Sequence, residues 1–376
     1  MILGVNGIRL VAHRSGVARC IEAFLRYLDE IPHPFHDIRV YSPTPIPKDV
    51  TLPAGARNVV LRSRLPNALW EQVTLARGHG RAGVLFCPSY VAPVLARCPL
   101  VVAHHGSYEG YPKAFGRWTL YRAWVAYAAS AWRADAVSTV SAYSRRDMTR
   151  YYRVPAARIH VIPDGVDTRL FRPLADGGSA AVEYRRSLLG GEAPLIAYVG
   201  KPTERRNLSA LIRAFARLKA QHGVPHKLVV MGADLPGSSP FRQVADEAGV
   251  AGDLVVRGHA DHGEMVRLYQ AADLLVYPSS YEGFGMPVLE AMACGTPVIA
   301  LDNTAFPEFA GGVALLLPDA RVDTLADGMW RVLTDDALRR HMREAGPQRA
   351  AAYDWRVVVR QYVDLIVPLA HAWEAA

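Results

Sequence analysis

The sequence predicts an α/β protein built from two doubly wound parallel sheets, and three observations predict it. Its 376 residues exceed what one ordinary hydrophobic core accommodates, so two domains are expected. Short β-rich apolar segments alternate with longer helical patterns along both halves of the chain. These short segments are almost continuously apolar, which is typical of strands buried on both faces of a parallel sheet.

The predicted strands fall into two groups. In the first half they are Ile2–Val5, Ile38–Tyr41, Val59–Leu61, Val84–Phe86, Leu100–Ala103, Ala136–Val140 and His160–Ile162. In the second half they are Leu195–Val199, Lys227–Met231, Leu254–Val256, Leu274–Tyr277, Pro297–Ala300 and Ala314–Leu317.

A stretch rich in Pro, Gly and Asp, residues 162–179, separates the two groups and is typical of an interdomain connection. We therefore expect an N-terminal domain over residues 1–175 and a C-terminal domain over residues 176–354. A final helix over residues 355–376 is expected to pack back on the N-terminal domain. The architecture is two Rossmann-like domains facing each other across a cleft, since ligands bind at the carboxyl ends of strands in such sheets.

The composition excludes several classes of function. The net charge is +8, but the arginines are scattered and only five of the 43 basic residues are lysines, so we expect no nucleic acid as a partner. The four cysteines show no CxxC spacing and are expected to be reduced. No apolar segment is long enough to span a bilayer, and no signal peptide is recognised. A cytoplasmic protein is expected.

One segment leaves a peripheral membrane contact open. Residues 113–133 mix Trp, Tyr and Arg at helical spacing, so this helix could lie on the inner face of the cytoplasmic membrane. A core helix with arginines that reach solvent is the interpretation we favour, because the segment leads directly into a predicted strand. The oligomeric state is not predicted.

The segment EGFGMPVLE, from Glu282 to Glu290, predicts a ligand site. It follows a strand, and the proline near its apolar helical pattern predicts a helix that begins at Met286 or Pro287. The free N–H groups and positive dipole end of a helix form an anion site. Gly283 and Gly285 allow the backbone to approach a ligand closely.

Two carboxylates and three cations complete this prediction. Glu282 lies before the helix, where it can accept hydrogen bonds from sugar hydroxyls, and Glu290 lies one turn inside it, within reach of a second diol. A diphosphate between them requires cations. Lys201, Arg205 and Arg206 follow the first strand of the same half and can clamp phosphates.

The sequence resembles the large retaining glycosyltransferase family 4, which has the GT-B fold. The resemblance rests on the two glutamates of EGFGMPVLE, separated by seven residues, and on the AMACGTPVIA that follows. VSTVSAYSRRDMTRYY and IHVIPDGVDTRLFRP are similar to the family's domain junction, and SGVARCIEAFLRYL is similar to its first glycine loop and helix.

The resemblance implies roles for individual residues. Glu282 contacts the donor sugar, and Glu290 binds the ribose hydroxyls. The family's phosphate-binding pair of basic residues matches Lys201 and Arg206, with Arg205 adjacent. The basic types are swapped relative to the common pattern, so either Arg205 or Arg206 faces the phosphate.

The first domain is expected to contribute two further residues. Gly16 resembles the glycine that approaches the phosphates, and His105 matches the family's histidine near the sugar. The family often has an acidic residue next, where this chain has Gly106. The predicted catalytic residues are His105, Lys201, Arg206 and Glu282. The remaining predicted donor-binding positions are Gly16, Arg205, Gly283, Phe284, Gly285, Met286, Pro287, Val288, Leu289, Glu290, Arg257 and Gly258.

The resemblance implies retaining transfer of a hexosyl unit from a nucleotide sugar, GDP-mannose-like or UDP-hexose, to a hydroxyl. The acceptor is a glycan, a lipid-linked molecule or a small molecule. No metal site and no cofactor are expected, because no Asp-x-Asp triplet follows a strand. A sugar-nucleotide epimerase and a non-catalytic sugar-nucleotide-binding subunit stay open as alternatives. A Rossmann dehydrogenase is disfavoured, since no GxGxxG follows the first strand.

Overall fold

The computed structural model describes residues 1–11, 16–80, 82–107, 117–175, 178–232 and 240–375. The chain divides into two compact units. Unit 1 comprises Met1–Gly165 and Trp355–Ala376, and unit 2 comprises Val166–Asp354. The division falls at Gly165, ten residues before the boundary expected at 175.

The first unit contains a seven-stranded sheet. Its strands are β1 (Ile2–Asn6), β2 (Asp37–Ser42), β3 (Ala56–Val60), β4 (Val84–Cys87), β5 (Leu100–His104), β6 (Ala136–Thr139) and β7 (Ile159–Val161). They lie in the order β3-β2-β1-β4-β5-β6-β7, and every pairing is parallel. The reversal of strand order beside β1 is the doubly wound pattern.

Helices connect these strands. They are α1 (Gly16–Leu28), α2 (Asn67–Leu69), α3 (Ala76–Gly78), α4 (Arg117–Arg133), α5 (Ala142–Tyr152) and the final helix α14 (Trp355–Glu374). A π-helical segment, Trp70–Leu75, joins α2 to α3.

Helix α4 differs from the interpretation favoured from sequence, which was a core helix whose arginines alone reach solvent. Its apolar residues Trp118 and Tyr121 are 79% and 58% exposed. Across the described residues, no helix is both long and apolar enough to cross a bilayer. A peripheral membrane contact stays a prediction.

The second unit repeats this architecture with six strands. They are β8 (Leu195–Val199), β9 (Lys227–Met231), β10 (Leu254–Arg257), β11 (Leu274–Tyr277), β12 (Val298–Leu301) and β13 (Leu315–Leu317), in the order β10-β9-β8-β11-β12-β13. All pairings are again parallel. The predicted fold class, two Rossmann-like α/β domains with parallel sheets, is confirmed.

The helices of this unit alternate with its strands. They are α6 (Ser179–Leu189), α7 (Leu208–His222), α8 (Pro240–Glu247), α9 (His262–Ala271), α10 (Met286–Ala293), α11 (Phe306–Ala310), α12 (Val322–Thr334) and α13 (Asp336–Ala351). The apolar side of α7 packs on the sheet through Leu211, Phe215 and Leu218, which are completely buried.

Aromatic contacts attach the final helix to the first unit. Tyr362 on α14 lies 5.1 Å from Phe86 on β4 and 5.9 Å from Phe24 on α1, measured between ring centroids. All three side chains are buried. Such ring pairs contribute more than the area they bury. The last helix therefore belongs to the same compact unit as the first strand of the chain.

A buried carboxyl group lies at the carboxyl end of β1. The side chain of Asn6 donates a 2.8 Å hydrogen bond to Glu71 Oε1, and both residues are buried. Burial raises the pKa of Glu71 to about 7, although the bond from Asn6 and the charge of Arg9 lower it. The Glu71 carboxyl group is therefore harder to ionise in the folded unit than in the unfolded chain.

Replacing Glu71 with glutamine is expected to remove a pH dependence of stability. The folded protein binds this proton more tightly than the unfolded chain, so its stabilising effect is full below the usual carboxyl pKa. It is lost as pH rises towards 7. At pH 8, Glu71→Gln should unfold with a free energy higher than wild type by on the order of 3 kcal/mol. Urea unfolding at pH 5 and pH 8 measures this, with exposed Glu30→Gln as the control. A gain that is the same at both pH values would contradict the assignment.

Candidate functional site

Two neighbouring strands of the second unit carry the predicted site at their carboxyl ends. β8 and β11 pair in parallel, so the loops that follow them leave the same edge of the sheet. The β8 loop contains Gly200, Lys201 and the short 3-10 turn Glu204–Arg206. The β11 loop leads to Glu282 and then to α10. The chain therefore brings the predicted cations and the first glutamate to one edge.

Asn207 joins these two loops. Its side-chain amide donates to the Pro278 carbonyl at 2.8 Å and to the Ser280 hydroxyl at 2.7 Å. Its φ of 52° lies in the left-handed region, which Asn tolerates better than most residues. The Ser280 amide donates to the Arg205 carbonyl at 2.7 Å. These bonds hold the arginines opposite Glu282.

Glu282 is the centre of a buried polar cluster. Its Oε1 atom lies 2.7 Å from Arg205 Nη1 and 3.0 Å from Arg206 Nε. The Tyr277 hydroxyl donates to the same oxygen at 2.8 Å, and the Ser279 hydroxyl lies 3.1 Å from it. Oε2 has no such contact among the described residues. One carboxylate oxygen is thus fixed by the protein, and the predicted contact of Glu282 with the donor sugar stays a prediction.

The charges in this cluster do not cancel. Burial would raise the pKa of Glu282, but the guanidinium groups of Arg206 and Arg205 outweigh it and hold that pKa below its usual value. Burial would likewise lower the pKa of Arg206, and the surrounding Tyr277 and Glu282 oxygens raise it instead. Two arginines face one carboxylate, so a net positive charge is left to attract an anion.

Gly200 supports Arg206 directly. Arg206 Nη1 donates to the Lys201 carbonyl at 3.3 Å, and its guanidinium lies 5.6 Å from the centre of the Tyr277 ring. A Cβ atom on Gly200 would lie 2.4 Å from Arg206 Nη1, and the φ of Gly200 is +132°. Only glycine fits both the conformation and the space. The Lys201 side chain is exposed beside this loop.

Gly200→Ala is expected to displace Arg206 and to weaken binding of a diphosphate roughly tenfold or more, the usual size for one charged hydrogen bond. Gly223→Ala is a matched control. Gly223 also has a positive φ, +62°, but no heavy atom lies within 4 Å of its would-be Cβ. It should lose stability only, by about 1 kcal/mol. Isothermal titration with a nucleoside diphosphate measures the difference. If both variants bind the diphosphate equally well, Arg206 does not contact it.

Helix α10 begins at Met286, one of the two residues predicted for its start. Gly285 precedes it with a φ of +113°, and a Cβ there would meet a carbon of the Phe306 ring at 2.6 Å. Phe284 stacks on Phe309 at 4.6 Å between centroids. The amides of Phe284, Gly285 and Met286 have no acceptor among the described residues. The structure thus places three amides without a described acceptor at the start of α10, and anion binding there stays a prediction.

Glu290 lies in the buried part of this helix. Its side chain is 3% exposed, and its Oε2 accepts a 2.9 Å hydrogen bond from the Tyr269 hydroxyl of α9. The tyrosine therefore fixes the orientation of the carboxylate. Its predicted role in ribose binding stays a prediction.

The other predicted donor-binding positions differ in exposure and in whether their backbone N–H group is available to a ligand. Val288 and Leu289 have completely buried side chains, and the Val288 amide already donates to the Gly285 carbonyl at 3.0 Å. Pro287 has no N–H group to offer. Arg257 is the exposed last residue of β10, and its guanidinium donates to the Leu188 carbonyl at the end of α6 at 3.1 Å. Gly258, which follows it, is exposed.

His105, in the first unit, lies beside two oxygen acceptors. Its Nε2 lies 3.0 Å from the Pro88 carbonyl, and its Nδ1 lies 3.3 Å from Asp164 Oδ1. Burial would lower the pKa of His105, but Asp164 and the Pro88 carbonyl outweigh it and raise the pKa. The Nε2 contact has the geometry of a hydrogen bond, whereas the Nδ1 contact meets only the distance of an ion pair. The predicted role of His105 near the sugar stays a prediction.

Cys20 joins this pair. Its thiol donates to Asp164 Oδ1 at 3.2 Å, and one ligand atom from each of Cys20, His105 and Asp164 lies within 4.8 Å of the other two. Sulfur, imidazole nitrogen and carboxylate oxygen are donors that Zn²⁺ accepts. Hydrogen bonding alone also accounts for the Cys20–Asp164 contact. The expectation of no metal site was made from sequence, and it stays a prediction.

Gly16, the other predicted residue of the first unit, is the exposed first residue of α1. Residues 107–116, which follow His105 and Gly106, lie almost wholly outside the described residues. Several residues were missed by sequence reasoning, namely Tyr269, Tyr277, Ser279, Asn207, Asp164 and Cys20. Asp164 and Cys20 lie inside quoted motifs, and Tyr277 and Ser279 lie just before another, so these four carried a signal.

Two family models match the chain in succession. The model of Glycosyltransferase Family 4 matches residues 14–170, and that of Glycosyl transferases group 1 matches residues 182–349. The chain belongs to glycosyltransferase family 4. The two matches together cover most of this family 4 member, and the second contains the Glu282–Glu290 segment.

Curated relatives agree with this membership. The O-antigen chain mannosyltransferase B of Escherichia coli is 28% identical over 236 residues, which are 61% of this chain and 60% of that protein. The MMP alpha-(1->4)-mannosyltransferase of Mycolicibacterium hassiacum is 31% identical, over 60% of this chain and 52% of its own length. A D-inositol 3-phosphate glycosyltransferase of Corynebacterium jeikeium is 32% identical, over 56% and 52%. The matches span about half to three fifths of these relatives.

Solved structures share the fold over almost the whole chain. Sucrose-phosphate synthase from Thermosynechococcus elongatus has a TM-score of 0.78 at 21% identity and covers 99% of both chains. HepE of Anabaena, solved with UDP and glucose, has a TM-score of 0.76 at 18% identity and covers 97% of this chain and 98% of its own. The GT-B fold expected from the sequence is confirmed.

Proposed function

We propose that this family 4 member is a retaining, metal-independent glycosyltransferase. It transfers a hexosyl unit from a nucleotide sugar to a hydroxyl of a glycan, a lipid-linked molecule or a small molecule. The observation that carries the proposal is the Glu282 cluster beside the first turn of α10. It combines a surplus of positive charge, free amides and one available carboxylate oxygen, and a sugar diphosphate requires all three.

The leaving group explains the arginines. Breaking the bond between the sugar and the diphosphate places negative charge on the phosphate oxygens, and fixed cations stabilise that charge most in the transition state. Arg206 is suited to this role because Glu282, Gly200 and Tyr277 fix its guanidinium. Lys201, which is exposed beside it, supplies a second positive charge.

The carboxylate orients the sugar. Glu282 Oε2 can accept hydrogen bonds from sugar hydroxyls, while Oε1 stays bound to the arginines. This positioning would hold the anomeric carbon for attack by the acceptor hydroxyl on the face from which the diphosphate leaves. A phosphate oxygen would take the hydroxyl proton.

The relatives' names favour a hexosyl donor. Two are named mannosyltransferases and several others D-inositol 3-phosphate glycosyltransferases. A GDP-mannose-like or UDP-hexose donor is therefore proposed, with the nucleotide to be found by a thermal-shift panel of GDP, UDP and ADP. The true donor nucleotide should raise the melting temperature by mass action.

Transfer itself is tested with that donor and a panel of hydroxyl acceptors, with and without EDTA. Proton NMR of the product should show the anomeric configuration of the donor sugar, and EDTA should leave the rate unchanged. An inverted product would reject retention, and loss of activity with EDTA would reject metal independence and direct attention to Cys20, His105 and Asp164. Interconversion of the donor sugar without an acceptor would indicate an epimerase.

A further inference from the structure

Three side chains from distant parts of the first unit meet beyond the carboxyl ends of β5 and β7. Cys20 lies in the second turn of α1, His105 directly follows β5, and Asp164 lies three residues after β7. The Cys20 thiol donates to Asp164 Oδ1 at 3.2 Å, and His105 Nδ1 lies 3.3 Å from the same oxygen. The sequence expectation of no metal site rested on motifs of neighbouring residues, and this group has none.

Hydrogen bonding leaves one atom of this group unsatisfied. His105 Nε2 lies 3.0 Å from the Pro88 carbonyl with the geometry of a hydrogen bond, so this nitrogen carries a proton. In a neutral ring Nδ1 then holds a lone pair, and this buried atom has no hydrogen-bond partner. A backbone carbonyl that fixes the proton on one ring nitrogen, and so directs the other at the ion, is the usual partner of a metal-ligating histidine.

The lone pair of His105 Nδ1 faces a carboxylate oxygen, and the two repel each other unless a positive charge lies between them. A second ring proton would have to point at Asp164 Oδ1, but the contact meets only the distance of an ion pair and lacks the angle of a hydrogen bond. A metal ion lies off the line that joins two of its ligand atoms, so it does not require this alignment. A metal ion therefore fits the geometry better than a proton does.

The spacing of the three donor atoms fits Zn²⁺. Tetrahedral bonds of about 2.0–2.3 Å to oxygen, nitrogen and sulfur put neighbouring ligand atoms roughly 3.3–3.6 Å apart. The two measured separations are 3.2 Å and 3.3 Å, and all three donor atoms lie within 4.8 Å of one another. Thiolate and imidazole favour Zn²⁺ over Mg²⁺ and Ca²⁺, which prefer oxygen ligands. In the described part of the chain, no other group of three such side chains comes this close.

We propose that Cys20, His105 and Asp164 bind one Zn²⁺ ion through Sγ, Nδ1 and a carboxylate oxygen, with solvent at the fourth position. The ion accepts an electron pair from each donor atom, and the thiol proton leaves to solvent. It joins α1 to the segments that follow β5 and β7, so it stabilises the first unit. The inference concerns binding by the first unit alone. No step of the proposed transfer depends on this ion, so either proposal can fail without the other.

Isothermal titration of the full-length chain, without an affinity tag, tests this site with Zn²⁺. Wild type should bind one equivalent, and excess Mg²⁺ should not compete. Cys20→Ser keeps the size and the hydrogen-bond donor of the side chain but removes the thiolate. It should lower the affinity more than about 100-fold, since even a changed outer partner of a metal ligand costs roughly 10- to 100-fold. Asp164→Asn should cause a similar loss, and it provides a second test if Cys20→Ser does not fold.

Co²⁺ in place of Zn²⁺ gives an optical readout of the ligands. A cobalt–thiolate charge-transfer band should appear in the ultraviolet spectrum of wild type and be absent from that of Cys20→Ser. The visible bands should be those of tetrahedral rather than octahedral cobalt. A wild-type spectrum without the thiolate band would overturn the proposal, because the ion would then be bound elsewhere.

Cys98→Ser is the matched control. Cys98 is a second buried cysteine beside a histidine in the first unit, with its Sγ 3.7 Å from His79 Nδ1, but no described carboxylate completes that pair. This variant should bind Zn²⁺ like wild type and keep the thiolate band. Zn²⁺ should raise the melting temperature of wild type and Cys98→Ser by mass action, but not that of Cys20→Ser. Absence of binding by wild type, or equal affinity of Cys20→Ser and Cys98→Ser, would refute the site.

Discussion

Arg206→Ala is expected to lower kcat by roughly 100- to 1,000-fold, the cost of removing one fixed group that stabilises developing charge. Donor affinity should fall less, because the diphosphate gains charge only as the sugar leaves. The structure gives the physical reason. The Arg206 guanidinium is fixed by Glu282, by the Lys201 carbonyl and by the Tyr277 ring, so it needs no reorganisation during the reaction. Steady-state kinetics with the identified donor and acceptor separate kcat from KM.

Three further variants make this experiment specific. Arg206→Lys keeps the charge but loses the planar guanidinium and should recover only part of the rate. Arg205→Ala removes the other arginine on Glu282 Oε1, and it should cost less in kcat because Arg205 is also tied to the Tyr281 carbonyl. Arg217→Ala, on the exposed side of α7, should behave like wild type. A larger loss of rate in Arg205→Ala than in Arg206→Ala would transfer the phosphate role to Arg205.

The central strands of both sheets could be predicted almost residue by residue because they are buried on both faces. β8, β9 and β11 have the predicted bounds. The edge strand β3 does not, since it spans Ala56–Val60 where Val59–Leu61 was predicted. Two of its first three residues, Arg57 and Asn58, are polar, and partial exposure at the sheet edge permits this. Prediction of strands from continuous apolar segments therefore fails at sheet edges, where the strand is partly exposed.

For the site, the sequence predicted which types of residue are present but not which of them contact each other. Sequence reasoning inferred that cations must oppose Glu282, but it could not decide which arginine. In the structure both bind the same oxygen. The Tyr269–Glu290 contact joins residues on two helices 21 positions apart, and the Cys20–Asp164 contact spans 144 positions. Such pairs are set by packing of the folded chain, and no local pattern encodes them.

Glu290 is the residue whose role most needs a test that separates binding from packing. It is buried and bound by Tyr269, so its loss affects stability whether or not it contacts a ligand. Glu290→Gln is the sharpest change, because the amide oxygen can keep the bond from Tyr269 while the charge is removed. Tyr269→Phe is its partner control, since it removes the orienting bond and keeps the carboxylate.

If Glu290 binds the ribose diol, Glu290→Gln should weaken binding of the nucleoside diphosphate by roughly 10- to 100-fold, the usual range for a hydrogen bond to a charged group. Its binding of inorganic pyrophosphate should be unchanged, because pyrophosphate has no ribose. Arg206→Ala should weaken both ligands, since it acts on the phosphates. Tyr269→Phe should weaken the nucleotide by less than Glu290→Gln, because the carboxylate is present but less well oriented. Isothermal titration of the two ligands against the three variants measures this pattern. A Glu290→Gln protein that is merely less stable and binds both ligands like wild type would assign the glutamate to packing against α9, and the ribose site would then have to be sought elsewhere in the second unit.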